Sequence, residues 1–202
     1  MDNDLVESIS SLKASLQTLQ LPGDFGKAEP ELLNSLKARL NLPRRYCEFL
    51  AESDPSEVES ATPAERIQLF GSRELELEQT DFAFDENGQL LSAPRRNGWR
   101  PSWIIVGRSG LLGDPYFLDV SSVDAEGDCP VYTAMSGTDT WQAKLCASSF
   151  VTFLKIQAVA MSVADDFDLD DYDPDNERVF REASGHRIRE VDPAAFKAGH
   201  WT

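Results

Sequence analysis

Residues 103–120 read WIIVGRSGLLGDPYFLDV, and the work done by Gly107, Gly110 and Gly113 decides the fold. A glycine loop that grips a phosphate opens directly into a helix, whose free N–H groups and positive dipole end face the anion. Here Asp114-Pro115 is a turn signal, and Tyr116-Phe117-Leu118 with Val120 is an aromatic and β-branched run suited to a strand. Trp103-Ile104-Ile105-Val106 reads as a second strand, and the spacing fits neither G-x-G-x-x-G nor G-x-x-x-x-G-K-[ST]. The stretch is therefore two strands joined by a turn, with the glycines expected to supply positive φ. A nucleotide-binding enzyme or switch is set aside.

Upstream, Leu5, Ile9, Leu12, Leu16 and Leu19 place one apolar stripe on a helix over Asp4 to Leu19, ended by Leu21-Pro22-Gly23-Asp24. The stripe has heptad spacing, but it is too short for a coiled coil, so it is expected to pack on the rest of the chain. Glu29-Pro30 opens a second helix carrying Leu32, Leu33, Leu36 and Leu40, and Pro43 starts a third with Tyr46, Phe49 and Leu50 on its buried face. The acidic stretch from Glu52 to Pro63 reads as a loop or a weak helical turn. From Arg66 the texture is β: Ile67, Leu69, Leu75 and Leu77 alternate with polar residues, and Phe82 and Phe84 continue the pattern to the turn Asp85-Glu86-Asn87-Gly88. Arg95-Arg96-Asn97-Gly98 is another turn.

Downstream, Asp128 to Thr133 supplies a short strand, and Ser148 or Ser149 caps a helix with Phe150, Phe153, Leu154, Ala158 and Met161 at helical spacing. Ser184-Gly185 reads as a turn between two short extended runs, and Phe196 and Trp201 as packing residues. Helices, then strands, then a helix is the order of an α+β fold with a mainly antiparallel sheet.

Composition narrows the function. The 202-residue chain carries a net charge of −16, which disfavours nucleic acid and anionic membrane surfaces and favours a basic protein partner. No segment has the apolar length needed to span a membrane, and the acidic start is no signal peptide, so a cytoplasmic location is expected. Cys47, Cys129 and Cys146 have no C-x-x-C spacing and are expected to be buried free thiols. With His186 and His200 alone, a histidine-rich metal site is excluded and nucleophile–base pairs have few ways to form. No G-x-S-x-G elbow is present. Asp114 and Asp119 could be cast as paired carboxylates, but a turn and a strand end account for them more simply. No enzyme activity and no cofactor are expected.

Four motifs now fall in order. ELLNSLKARLNLPRRYCEFL (31–50), GLLGDPYFLDVSS (110–122), CPVYTA (129–134) and ASSFVTFL (147–154) resemble, respectively, the opening helices, the G-D-x-y-x-L-D strand, the p-V-y strand and the closing x-S-F-x-x-F-L helix of SUKH-superfamily (Smi/Knr-type) domains. The resemblance covers Ala28 to Ala160. Ala51-Glu52-Ser53-Asp54 departs from the Asn-Gly-Gly that often follows the family's "FL". The organisation expected is an N-terminal helix and linker over 1–27, a SUKH-like domain over 28–161, and an acidic segment and tail over 162–202 packed on it. The resemblance implies a protein-binding function without chemistry: immunity against a cognate toxin of a bacterial polymorphic toxin system, or else a regulatory scaffold of the same fold.

Asp165, Asp166, Asp168, Asp170, Asp171, Asp173, Asp175 and Glu177 put eight carboxylates in thirteen residues. Charge runs are usually solvated loops. Asp166, Asp168, Asp170 and Glu177 fall at positions one, three, five and twelve of an EF-hand loop, but Asp171 stands where the sharp turn needs glycine, and Pro174 takes the ninth position. The third reading is a docking surface for a basic toxin, in which Phe167, Leu169 and Tyr172 supply apolar anchors between the acids. The arginines Arg95, Arg96, Arg100 and Arg108 form a lesser alternative contact region.

Overall fold

A computed structural model of the protein describes residues 2–80, 82–85, 87–95, 97–135, 140–169 and 173–202. The two strands of the opening stretch are β5 (Trp103–Ser109) and β6 (Pro115–Asp119), the antiparallel centre of a six-stranded meander. With β3 (Val58–Ala61), β4 (Arg66–Leu69), β7 (Val131–Thr133) and β8 (Lys144–Ala147), the strands lie in sequence order, each pairing antiparallel with the next. A separate pair joins β1 (Asp24–Gly26) to β2 (Asp54–Ser56). Both β2 and β3 fall in the stretch that reads as a loop. These strands are short, polar and at the margins of their sheets, so they carry little apolar alternation.

Side chains of β5 and β6 alternate between two buried layers. Ile104, Val106, Tyr116 and Leu118 face the main core, while Trp103, Ile105 and Phe117 join Phe70, Trp99 and Ala134 on the opposite face. Both faces are dry, which is why the sequence shows nearly continuous apolar runs. The glycines act differently from the expectation of positive φ at each. Only Gly113 has it, at +70°; Gly107 is needed because a Cβ there would lie 2.5 Å from the Gln68 carbonyl oxygen.

The helix α5 (Phe150–Ala164) is buried almost all round, as its composition demands. It packs on the sheet, with α1 (Asn3–Thr18) along one flank and α6 (Pro174–Val191) along another. The stripe Leu5, Ile9, Leu12 and Leu16 of α1 is buried in the main core. Two side chains cap the start of α5: Ser149 accepts from Thr152 N, and the buried Asp128 carboxylate accepts from Phe150 N at 2.9 Å and Val151 N at 3.2 Å. The helices α2 (Pro30–Leu40) and α3 (Arg44–Ser53) begin where Pro30 and Pro43 place them, and Tyr46, Phe49 and Leu50 are buried. Cys47, Cys129 and Cys146 are buried and free.

Two segments correct the sequence reading. Leu75 and Leu77 lie on a helix, α4 (Ser72–Glu78), rather than a strand, and Leu77 is 73% exposed. Leucine and glutamate are helix formers whatever their alternation. Asp54 holds the first turn by accepting from Ser72 N and Oγ, both at 2.6 Å. The helix delivers Gln79, wholly buried, whose amide accepts from Ile105 N and donates to Ile105 O, both at 2.9 Å, beside β5 beyond the end of β4.

The second correction is the tail. Ser184-Gly185 is no turn: both residues are buried inside α6, and Gly185 lets Phe196 of α7 (Pro193–Ala198) approach closely. Asp192 ends α6, caps α7 and accepts from Ser148 N at 2.6 Å, tying the tail to the start of α5. The buried Trp201 indole donates to the Cys146 carbonyl of β8 at 2.8 Å. Among the described residues no helix is long and apolar enough to cross a membrane.

Candidate functional site

The acidic segment is the connection between α5 and α6. Asp165 is the C-cap of α5 and Asp173 the N-cap of α6, where it accepts from Asp175 N at 2.9 Å. Helices therefore flank the stretch with EF-hand spacing, yet its last acid is engaged elsewhere: Arg181 Nε donates to Glu177 at 2.8 Å. No group of three metal-ligating side chains gathers among the described residues. Asp175 is 3.8 Å from Arg178, so the basic residues of α6 neutralise acids of its own first turn.

Asp165, Asp166 and Asp168 are exposed. Asp165 and Asp166 take part in no hydrogen bond or ion pair through their side chains among the described residues. They crowd the C-terminal end of α5, where the helix dipole disfavours anions, and its last turn holds no basic residue. Asp170, Asp171 and Tyr172 lie outside the described residues.

Phe167 and Leu169 are not outward anchors. Phe167 meets the Phe180 ring edge-on at 5.9 Å, and both residues pack on Ala160, Val163 and Ala164. Exposed apolar side chains nearby are Val179 of α6 and those of the β5–β6 turn, where Leu111 and Leu112 are 69% and 67% exposed. Ser109 fixes that turn by accepting from both of their backbone N–H groups. Arg66 links the two features: its Nη2 donates to the Leu169 carbonyl at 3.1 Å, and its own carbonyl accepts from Gly110 N at 2.7 Å.

Beside the turn, a cavity of about 490 Å³ is lined by Glu65, Ser109, Asp114, Tyr116, Met135, Lys144, Arg181 and His200. Ser109 Oγ donates to Glu65 at 2.7 Å, and the Tyr116 hydroxyl is 3.0 Å from His200 Nε2. Burial raises the Glu65 carboxyl above its usual range, against the lowering effects of the Ser109 hydroxyl and the Arg181 charge. Burial, with the charges of Lys144 and Arg181, pushes His200 down to about 3, so the imidazole is neutral. Sequence reasoning missed this cluster because its members come from widely separated stretches with no motif at any of them.

Asp114 lines the cavity, whereas Asp119 sits at the far end of β6 and accepts from Ser121 N and Oγ. Five residue steps along this strand separate them by roughly 16 Å at about 3.3 Å per residue, so they form no carboxylate pair. The arginines hold the chain over the second aromatic layer: Arg95 donates to the Phe82 and Phe84 carbonyls, Arg100 lies over Trp103, and Arg108 lies over Phe82. Arg96 is outside the described residues.

A six-stranded antiparallel meander, with helices on one face and an aromatic layer on the other, is an α+β fold consistent with a SUKH domain. Residues 27–156 match the SMI1 / KNR4 family (SUKH-1), and the chain belongs to that family. No curated protein matches the chain. The match runs from before α2 into α5, so α1, the acidic connection, α6 and α7 lie outside it. Membership is consistent with a toxin-immunity role.

Proposed function

We propose that this protein is an immunity protein that binds and neutralises a basic toxin acting in the cytoplasm, with the acidic α5–α6 connection as the docking surface. The observation that carries the proposal is the placement of Asp165 and Asp166. Both are exposed, their side chains take part in no hydrogen bond or ion pair among the described residues, and they sit where the helix dipole opposes them. Carboxylates kept against a local cost fit a partner's positive charge, and such charge raises the association rate and screens out wrong partners. Family membership supports a protein partner. Asp168, Asp173 and Asp175 belong to the same proposed surface, while Asp170, Asp171 and Tyr172, which lie outside the described residues, are assigned to it from sequence alone.

The test begins with capture of the tagged protein's partner at low and moderate salt. Affinity for the recovered toxin is then measured for the triple variant Asp165→Lys, Asp166→Lys, Asp168→Lys. Binding weakened by at least tenfold, about 1.4 kcal/mol, together with steep salt dependence of the wild type, is expected. Unchanged binding by a folded triple variant removes the acidic surface from the interface. Recovery of a cellular assembly in place of a toxin favours the regulatory scaffold.

A further inference from the structure

The cavity beside the β5–β6 turn has a chemistry of its own. Glu65 forms no ion pair among the described residues, although two cations share the cavity wall. Both are directed elsewhere: Arg181 to Glu177 at 2.8 Å and to the His200 carbonyl at 3.3 Å, and Lys144 to the Gly199 carbonyl at 2.6 Å. The carboxylate is met by the Ser109 hydroxyl, and a neutral imidazole stands behind the neighbouring Tyr116. A partly desolvated carboxylate with hydroxyl company gains most from a cation that arrives with its own donors. Exposed apolar side chains stand close to it: Met135, on its lining, is 64% exposed, and Leu111 and Leu112 lie in the turn that begins at the lining residue Ser109.

We infer that this cavity receives a single arginine or lysine side chain of the protein partner, paired with Glu65, while Leu111, Leu112 and Met135 seat the residues around it. The inference rests on the docking reading and deepens it by supplying the apolar anchors that the acidic connection does not itself present. Arginine suits the site best, because its planar donor fork can engage Glu65 and nearby carbonyl and hydroxyl oxygens together.

The test needs no toxin. N-acetyl-L-arginine methylamide is titrated into the full chain at low salt while the Trp201 indole N–H and the Leu111 and Leu112 amides are followed by NMR. Trp201 is a fitting reporter because its ring lies 4.4 Å from that of His200. Saturable shifts are expected, with a dissociation constant on the order of millimolar for so small a probe. Near-isosteric Glu65→Gln should weaken binding roughly tenfold. The inference is overturned by an absence of saturable shifts, by equal affinity in a folded Glu65→Gln variant, or by N-acetyl-L-glutamate methylamide shifting the same resonances more strongly. Because the probe reports on the cavity alone, failure here is distinct from failure of the acidic surface, which the charge-reversal variant reads.

Discussion

The His200 imidazole lies 3.0 Å from the Tyr116 hydroxyl and packs edge-on against Trp201. Burial holds its pKa at about 3, against 6.5 for a free side chain, with Lys144 and Arg181 pushing in the same direction. The folded chain therefore refuses a proton that the unfolded chain accepts. Stability is fully present above about pH 6.5 and is lost as pH falls from there toward about 3. His200→Gln, which keeps a polar partner for Tyr116 but cannot take up a proton, should flatten the fall in urea midpoint between pH 7 and pH 5. Glu65 acts in the opposite sense, because its raised pKa favours protonation in the fold. An unaltered slope in the His200 variant would assign the acid sensitivity to other groups.

Among the elements, α5 joins the fold to the candidate site. Its start is secured by Ser149 and Asp128, while its end carries Asp165 and Asp166 without a basic residue in the last turn. Asp165→Asn should raise stability by about 0.3–1 kcal/mol in urea melts, because it relieves the dipole, and should slow association with a basic partner. A loss of stability would mean that Asp165 has a structural role. The sequence announced α1, α2, α3 and α5 through apolar stripes and capping residues, and β5 and β6 through their apolar runs. It hid α4 because Leu75 and Leu77 imitate strand alternation, although their glutamate neighbours favour helix. It hid α6 because Ser184-Gly185 resembles a turn, whereas Gly185 is small to admit Phe196. The acids of the candidate surface were legible as a charge run. Glu65, Lys144 and His200 were not, since only the tertiary fold brings them together.

Across the whole molecule, the main core gathers residues from both ends of the chain. Leu5 and Leu12 of α1, Ile188 of α6 and Trp201 join the sheet and α5 in one cluster. Trp201 is 8% exposed and hydrogen-bonded to the Cys146 carbonyl. Trp201→Ala should cost about 3–5 kcal/mol, as large aromatic truncations do, and a urea denaturation curve would measure it. A cost under about 1 kcal/mol would show that the Trp201 indole contributes little to the fold.

The same indole has a second consequence. β8 is the last strand of the meander, and Trp201 occupies one of its backbone carbonyls while Lys144 ties the strand to the Gly199 carbonyl. A strand at a sheet margin is a template for pairing with another chain, and proteins guard such margins by covering them. The C-terminal turn is thus a guard against aggregation: a chain that lost its last residues would offer β8 to its neighbours, and self-association would betray the damage before loss of helix did.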